Sequence, residues 1–285
     1  MHAKSSLFLA ILFIVGCSGG VKQGAAGRGG GPSAVDLNPS LSAGAGGASE
    51  VKGDAGATSF GGDTSADALI VPTGMNVTPR IGNNSVFKVI ALTLRAASSG
   101  AELFAAVRND GDILACNPSF SVELRDQDDQ TLAAGISGLM ERRFYRFTDG
   151  SDTIAACVAP GDVTMVAITS LSLDSPMADV RSVVYQSSYW GNLDVVAIPG
   201  VNLSDVKAVN RGDGVAYTGS LVNALDKDLS GPTVAVFPLN AVGRPLEVAY
   251  GGSSVVLAPG AAWDFETSTV GDAGEGFDAY PMGGP

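Results

Sequence analysis

One stretch of this chain is written twice. "AVRNDGDILACNPSFSVELRDQDDQTL" (106–132) aligns without a gap on "SLVNALDKDLSGPTVAVFPLNAVGRPL" (220–246). Asn109 falls on Asn223, Pro118 on Pro232, Val122 on Val236 and Leu132 on Leu246. Further on, "CVAPGDVTMV" (157–166) falls on "VLAPGAAWDF" (256–265), provided the first copy carries a longer hairpin around "ERRFYRFTDGSD". A gapless match preserves the period of two along a strand, so the same positions face inward in both copies. That single requirement removes most alternative folds.

From about residue 84 onward, short β-rich segments such as "SVFKVIALTLR", "SFSVELRD" and "VTMVAITSLSL" alternate with turn signals such as "NDGD", "DQDD" and "PGD". Alternating or wholly apolar runs at this spacing predict an all-β protein. Two copies of about 95 residues suit two β-sandwiches better than one large core. The expected division is 81–176 for the first domain, 177–270 for the second and 271–285 for a flexible, acidic, Gly-rich tail.

The repeated pattern, an Asn turn, then Pro-x-[Phe/Val]-x-Val-x-Leu-x-Asp, then a Pro-Gly turn before a last strand, resembles the FxLYD-type Ig-like domains of bacterial envelope proteins. "VELRD" (122–126) keeps the Leu and Asp of that motif, with Val for Phe and Arg for Tyr; "VFPLN" (236–240) departs further. The resemblance covers most of residues 85–270. It implies two tandem Ig-like β-sandwiches in an envelope setting and brings no catalytic residue with it.

The N-terminal end fits that setting. The apolar run Leu7–Val15 follows Lys4 and is too short for a bilayer, which takes about 20 residues, so 1–16 reads as a signal peptide. Ile14-Val15-Gly16-Cys17 resembles the lipobox of bacterial lipoproteins. By that resemblance Cys17 is the lipidated N-terminus of the mature chain, and Ser18 after it favours the outer membrane. Residues 17–80 are Gly, Ala, Ser and Asp with few large apolar side chains, and read as a disordered linker. About 60 such residues have a root-mean-square reach on the order of 40–45 Å.

Composition excludes several chemistries. The only histidine is His2, inside the expected signal segment, which removes Ser-His-Asp and Cys-His catalysis and His-ligated zinc. No nucleotide-binding glycine motif is present, and no cofactor is expected. The formal charge of −12 becomes one unit more negative once Lys4 is gone, which opposes nucleic acid as a partner. "DQDDQ" (126–130) and "LDKDLSG" (225–231) carry oxygen ligands of the kind calcium takes but not EF-hand spacing, so they read as solvated turns, with a weak calcium site as the alternative. The Arg-Gly-Asp of "NRGDG" (210–214) reads as a hairpin turn.

With Cys17 set aside, Cys116 and Cys157 remain, and both are missing together from the second copy, where Ser230 and Val256 stand. That predicts a disulfide, the alternatives being two buried thiols or a redox switch. Tyr185, Tyr189 and Trp190 read as core or interdomain packing, with an interaction surface for a partner or glycan as the alternative. The expected function is a non-enzymatic, lipid-anchored envelope protein that engages another protein or a polymer. A carboxylate-only hydrolase of envelope glycans and a passive coat or spacer are the rivals.

Overall fold

The computed structural model describes residues 72, 74–80, 86–98, 100–140 and 143–284, all within one unit that spans 51–285. The described residues form an all-β fold. The first half contains β1 (Asn76–Pro79), β2 (Phe87–Ala97), β3 (Gly100–Asn109), β4 (Ala115–Arg125), β5 (Thr131–Gly138), β6 (Arg143–Phe147), β7 (Ile154–Val158), β8 (Val163–Leu171), β9 (Ser182–Trp190) and β10 (Val195–Ile198). The second half contains β11 (Val201–Arg211), β12 (Gly214–Asn223), β13 (Leu229–Leu239), β14 (Ala249–Gly252), β15 (Val256–Leu257), β16 (Ala262–Glu266) and β17 (Gly276–Gly284).

Four sheets result. One runs β1-β9-β4-β7-β6-β10 with β5 also on β4, and a second runs β2-β3-β8. The third runs β11-β12-β16, and the fourth centres on β13, flanked by β14, β15 and β17. Alternation on β4 explains the first pairing: Phe120, Val122 and Leu124 turn inward and meet Leu103, Ala105 and Val107 of β3. In the second half Val234 and Val236 of β13 meet Tyr217 and Leu221 of β12 in the same manner.

The register is repeated pair for pair. Phe87 opposite Asn109 becomes Val201 opposite Asn223, and Val107 opposite Thr164 becomes Leu221 opposite Trp263. Val122 opposite Gly135 becomes Val236 opposite Ala249, and Cys116 opposite Cys157 becomes Ser230 opposite Val256. Two glycines recur with it. Gly100 (φ +142°) and Gly214 (φ +157°) start β3 and β12, and a Cβ there would lie 2.0 Å from Leu171 O and 2.4 Å from Val270 O. Neither position tolerates a side chain without moving a backbone carbonyl of the facing element. Gly100→Ala is expected to cost about 3 kcal/mol from backbone strain and displacement together, read as a shift in the urea midpoint.

Strand pairing corrects three expected boundaries. Residues 182–190 fall in the expected second domain, yet β9 pairs along β4 from Arg125 to Cys116 and belongs to a first-half sheet. Residues 271–285 were expected to be a flexible tail, yet β17 pairs with β13 in the register that β9 has with β4, Val236 opposite Ala279 as Val122 is opposite Tyr185. The last four residues of the expected linker that precede Arg80 form β1, parallel to β9. The rest of that linker to residue 71, the signal segment 1–16 and Cys17 lie outside the described residues.

The two halves stack. Phe104, Ala106, Met165 and Ala167 on the outer face of β2-β3-β8 share one buried cluster with Ala235, Phe237, Leu239 and Tyr280 on the outer face of the β13 sheet. Four layers follow in order: the β4 sheet, β2-β3-β8, the β13 sheet and β11-β12-β16. Arg95 ties the middle layers, donating to Glu102 at 2.6 Å and to Glu247 at 2.7 Å while lying 5.1 Å over the Phe104 ring. The longer first-copy hairpin β6–β7 also reaches the second half, burying Phe144 in that core. Gly200 makes room for it, since a Cβ there would sit 2.3 Å from the Phe144 ring.

Candidate binding face

Large sheets with one covered face expose the other, and in the first half the exposed one is the outer face of β5-β4-β9-β1. Alternation on β4 and β9 sends Ser119, Ser121, Glu123, Gln186 and Ser188 outward. Ser119 and Ser188 hydroxyls are 2.7 Å apart across the strands, and Ser121 Oγ donates to Gln186 O at 3.4 Å. Ile136 of β5, 70% exposed, borders this polar floor, and the fold leaves an open groove of about 390 Å³ lined by Arg80, Ser121, Glu123, Ile136 and Gln186 among others.

Among the described residues Glu123 is the only carboxylate on that groove. Arg125 donates to it at 2.6 and 3.1 Å, and Arg80 lies 3.1 Å away on the other side. The Arg125 hydrogen bonds, followed against desolvation by the Arg80 and Arg125 charges, hold its carboxyl below the usual 4.5. A depressed folded value means the stabilisation is present above pH 4.5 and is lost as pH falls through the lower, folded value. Glu123→Gln is therefore expected to remove part of the loss of thermal stability on acidification below pH 4.5, measured by calorimetry across that range.

The aromatic trio is not one surface: two members pack on the core, and the alternative of a shared interaction surface is corrected for them. Tyr185 is buried and stacks on Phe120 with centroids 5.4 Å apart, and burial pushes its phenol upward in pKa. Tyr189 packs on the same core, edge-on to Phe87 at 6.2 Å. Period two sends neighbours to opposite faces, so Trp190 alone of the three turns out, 53% exposed, on the side of Gln186 and Ser188. The signal that sequence reasoning passed over was the outward series Gln186, Ser188, Trp190, opposite Ser121 and Ser119.

Cys116 and Cys157 are joined by a disulfide between directly opposed residues of β4 and β7, both buried. The acidic turns use their oxygens locally. Asp126 Oδ1 accepts from the backbone N–H groups of Asp128 and Gln130, each at 2.9 Å. Asp226 pairs with Arg146 and Lys227 with Asp152, which fastens the β6–β7 hairpin to the second half. A second open groove of about 200 Å³ lies beside Asp126, Asp128, Asp179 and Arg181. Among the described residues no cluster of three or more His, Cys, Asp or Glu is placed to hold a metal ion. Arg211 of the Arg-Gly-Asp turn makes a bidentate pair with Glu266 at 2.8 and 2.9 Å.

No protein-family model and no curated protein matches the chain. Among solved structures, the crystal structure of red sea bream transglutaminase is similar over 65% of this chain and 27% of its own length, at 9% identity. The TM-score is 0.18, and the chain spans about a quarter of that enzyme, so the likeness carries no argument about fold or activity here.

Proposed function

We propose that this chain is a lipid-anchored, non-enzymatic protein of the bacterial cell envelope. Two tandem Ig-like β-sandwiches of FxLYD-like type are held at the outer membrane through Cys17 and a Gly/Ala/Ser tether, and they dock a polar partner, protein or polymer. The observation that carries this reading is the outer β5-β4-β9-β1 face. It is open, grooved and furnished with hydroxyls, an amide and an Arg–Glu pair, whereas its copy on the β13 sheet is apolar and covered. The hydrolase rival draws less support, because glycoside hydrolysis uses two carboxylates flanking the scissile bond, and the larger groove offers one, kept ionised by arginine.

Two measurements test the anchor and the face separately. Mass spectrometry of the protein from its native membrane is expected to find an acylated peptide beginning at Cys17, and Cys17→Ser to shift the protein from the membrane to the soluble fraction. A free N-terminus elsewhere would end the anchor. A photo-crosslinking residue at Gln186 is expected to capture one discrete envelope partner that the same residue at Asp213, on the exposed β11–β12 turn, does not. Equal capture from both positions would remove the face from consideration.

A further inference from the structure

The two surfaces that join the halves occur twice in this molecule, and only one pair is joined. In the outer face of β2-β3-β8 the joining residues are Phe104, Ala106, Met165 and Ala167. Their register equivalents in β11-β12-β16 are Thr218, Ser220, Asp264 and Glu266, none of them buried. On the partner surface the joining residues are Ala235, Phe237, Leu239 and Tyr280. Their equivalents in the β4 sheet are Ser121, Glu123, Arg125 and Gln186, again none buried. Every apolar joining residue of these two sets has a polar or charged counterpart at the same place in the other half.

A pair of different, complementary surfaces on one chain is a head-to-tail contact, which continues without limit unless its ends are altered. Repeat proteins end such stacks with units whose outer face is polar. We infer that the outer faces of the β4 sheet and of β11-β12-β16 are polar-blocked copies of the internal interface, which hold the stack at two units and keep the chain from adding further copies of itself through them. The mechanism is desolvation: seating the Glu123–Arg125 ion pair where Phe237 and Leu239 sit, or the Asp264 carboxylate where Met165 sits, would take charges out of water, a cost that apolar side chains do not carry. The inference does not rest on the anchor or on any docked partner. It limits what the docking face accepts to something other than a second copy.

The test restores the apolar identities one end at a time. Full-length chain carrying Cys17→Ser serves as background, so that neither an acyl chain nor a free thiol contributes to association. One variant adds Ser121→Ala, Glu123→Phe, Arg125→Leu and Gln186→Tyr; the other adds Thr218→Phe, Ser220→Ala, Asp264→Met and Glu266→Ala. In sedimentation velocity the background and each variant alone are expected to remain monomeric, since like faces are not the internal pair, and the mixture to form a 1:1 complex. A mixture that stays monomeric while both variants keep their strand circular dichroism would overturn the inference, as would self-association of the background. Equal association of each variant alone would overturn it too, by showing nonspecific stickiness. Should the multiple variants fail to fold, the converse single change decides: Phe237→Glu is expected to split the unfolding curve into two transitions. A single transition with an unmoved midpoint would end the idea.

Discussion

Asn223→Leu is expected to cost about 5 kcal/mol of folding stability, and Asn109→Leu a similar amount, because each side chain satisfies three buried or half-buried backbone groups at about 1–3 kcal/mol apiece. Asn223 is fully buried. Its Nδ2 donates to Lys227 O and to Leu257 O, both at 2.8 Å, and its Oδ1 accepts from Leu225 N at 3.1 Å. Asn109 repeats the arrangement, donating to Ile113 O and Val158 O at 3.0 Å and accepting from Gly111 N. One amide thus clamps the turn after its own strand to the strand before the Pro-Gly turn. Leucine nearly matches the volume but offers no donor and no acceptor, so the cost isolates the hydrogen bonds from cavity formation. Asn223→Asp keeps the acceptor, loses both donors and buries a charge, and is expected to be at least as damaging. Urea denaturation reads the effect as a fall in midpoint at constant slope. A loss below about 1 kcal/mol for both leucine variants would mean that water or neighbouring groups take over the three bonds, and the clamp would be wrong.

That clamp was half legible. The alignment of Asn109 on Asn223 and of Pro160-Gly161 on Pro259-Gly260 was readable because turn residues are chosen by backbone conformation, and the two glycines do share φ +78°. Their backbones close on the same asparagines, Gly161 N on Asn109 O at 2.8 Å and Gly260 N on Asn223 O at 2.7 Å. Membership of a sheet was not legible in the same way. Local pattern marks 182–190 as a strand, but nothing within it names β4 as its neighbour, so the domain boundary was set too early. Residues 276–284 were harder still: "GFDAYPMGG" holds three glycines and a proline, a composition that propensity reads as a frayed end. Tertiary pairing along β13 overrides it.

The stacking of the halves left a mark that was open to reading. Burial on both faces erases alternation, as it does in β3, β8 and β13: "LFAAV" in the first, "TMVAI" in the second and "VAVFPL" in the third are buried at every position. Their repeat partners carry no such run: β4 alternates from Pro118 to Arg125, and in β12 buried positions are interrupted by the half-buried Thr218, Gly219 and Ser220. The candidate face was legible to the same degree. Its serines lie at every second place of "SFSVE", yet whether such a face is open depends on what the rest of the chain lays over it. In the second copy the same face is covered.

Loss of the Cys116–Cys157 disulfide is expected to cost about 4 kcal/mol, from the loop entropy that a cross-link spanning some 40 residues removes from the unfolded chain. The usual objection to such a test is that cysteine removal also damages the packing around the site. Here the second copy supplies a disulfide-free solution at the same register, Ser230 opposite Val256, so Cys116→Ser with Cys157→Val imports residues that already occupy this pair of positions. Packing differs in one respect. The disulfide and Ala155 form a small cluster with Leu114, Tyr145, Phe147 and Leu193 against them, whereas Val256 is 60% exposed, so the double variant adds a modest cavity cost to the entropic one. Both terms have the same sign. The variant is therefore expected to remain folded, with unchanged strand circular dichroism, and to unfold at a distinctly lower urea concentration than the oxidised protein. Oxidised protein denatured without reductant should yield neither Cys116 nor Cys157 to alkylation. Recovery of both as alkylated thiols would remove the disulfide, and an unmoved midpoint in the double variant would remove its contribution to stability. Because the halves share the cluster around Phe104 and Phe237, the loss should lower one common transition, leaving no early phase confined to the first half.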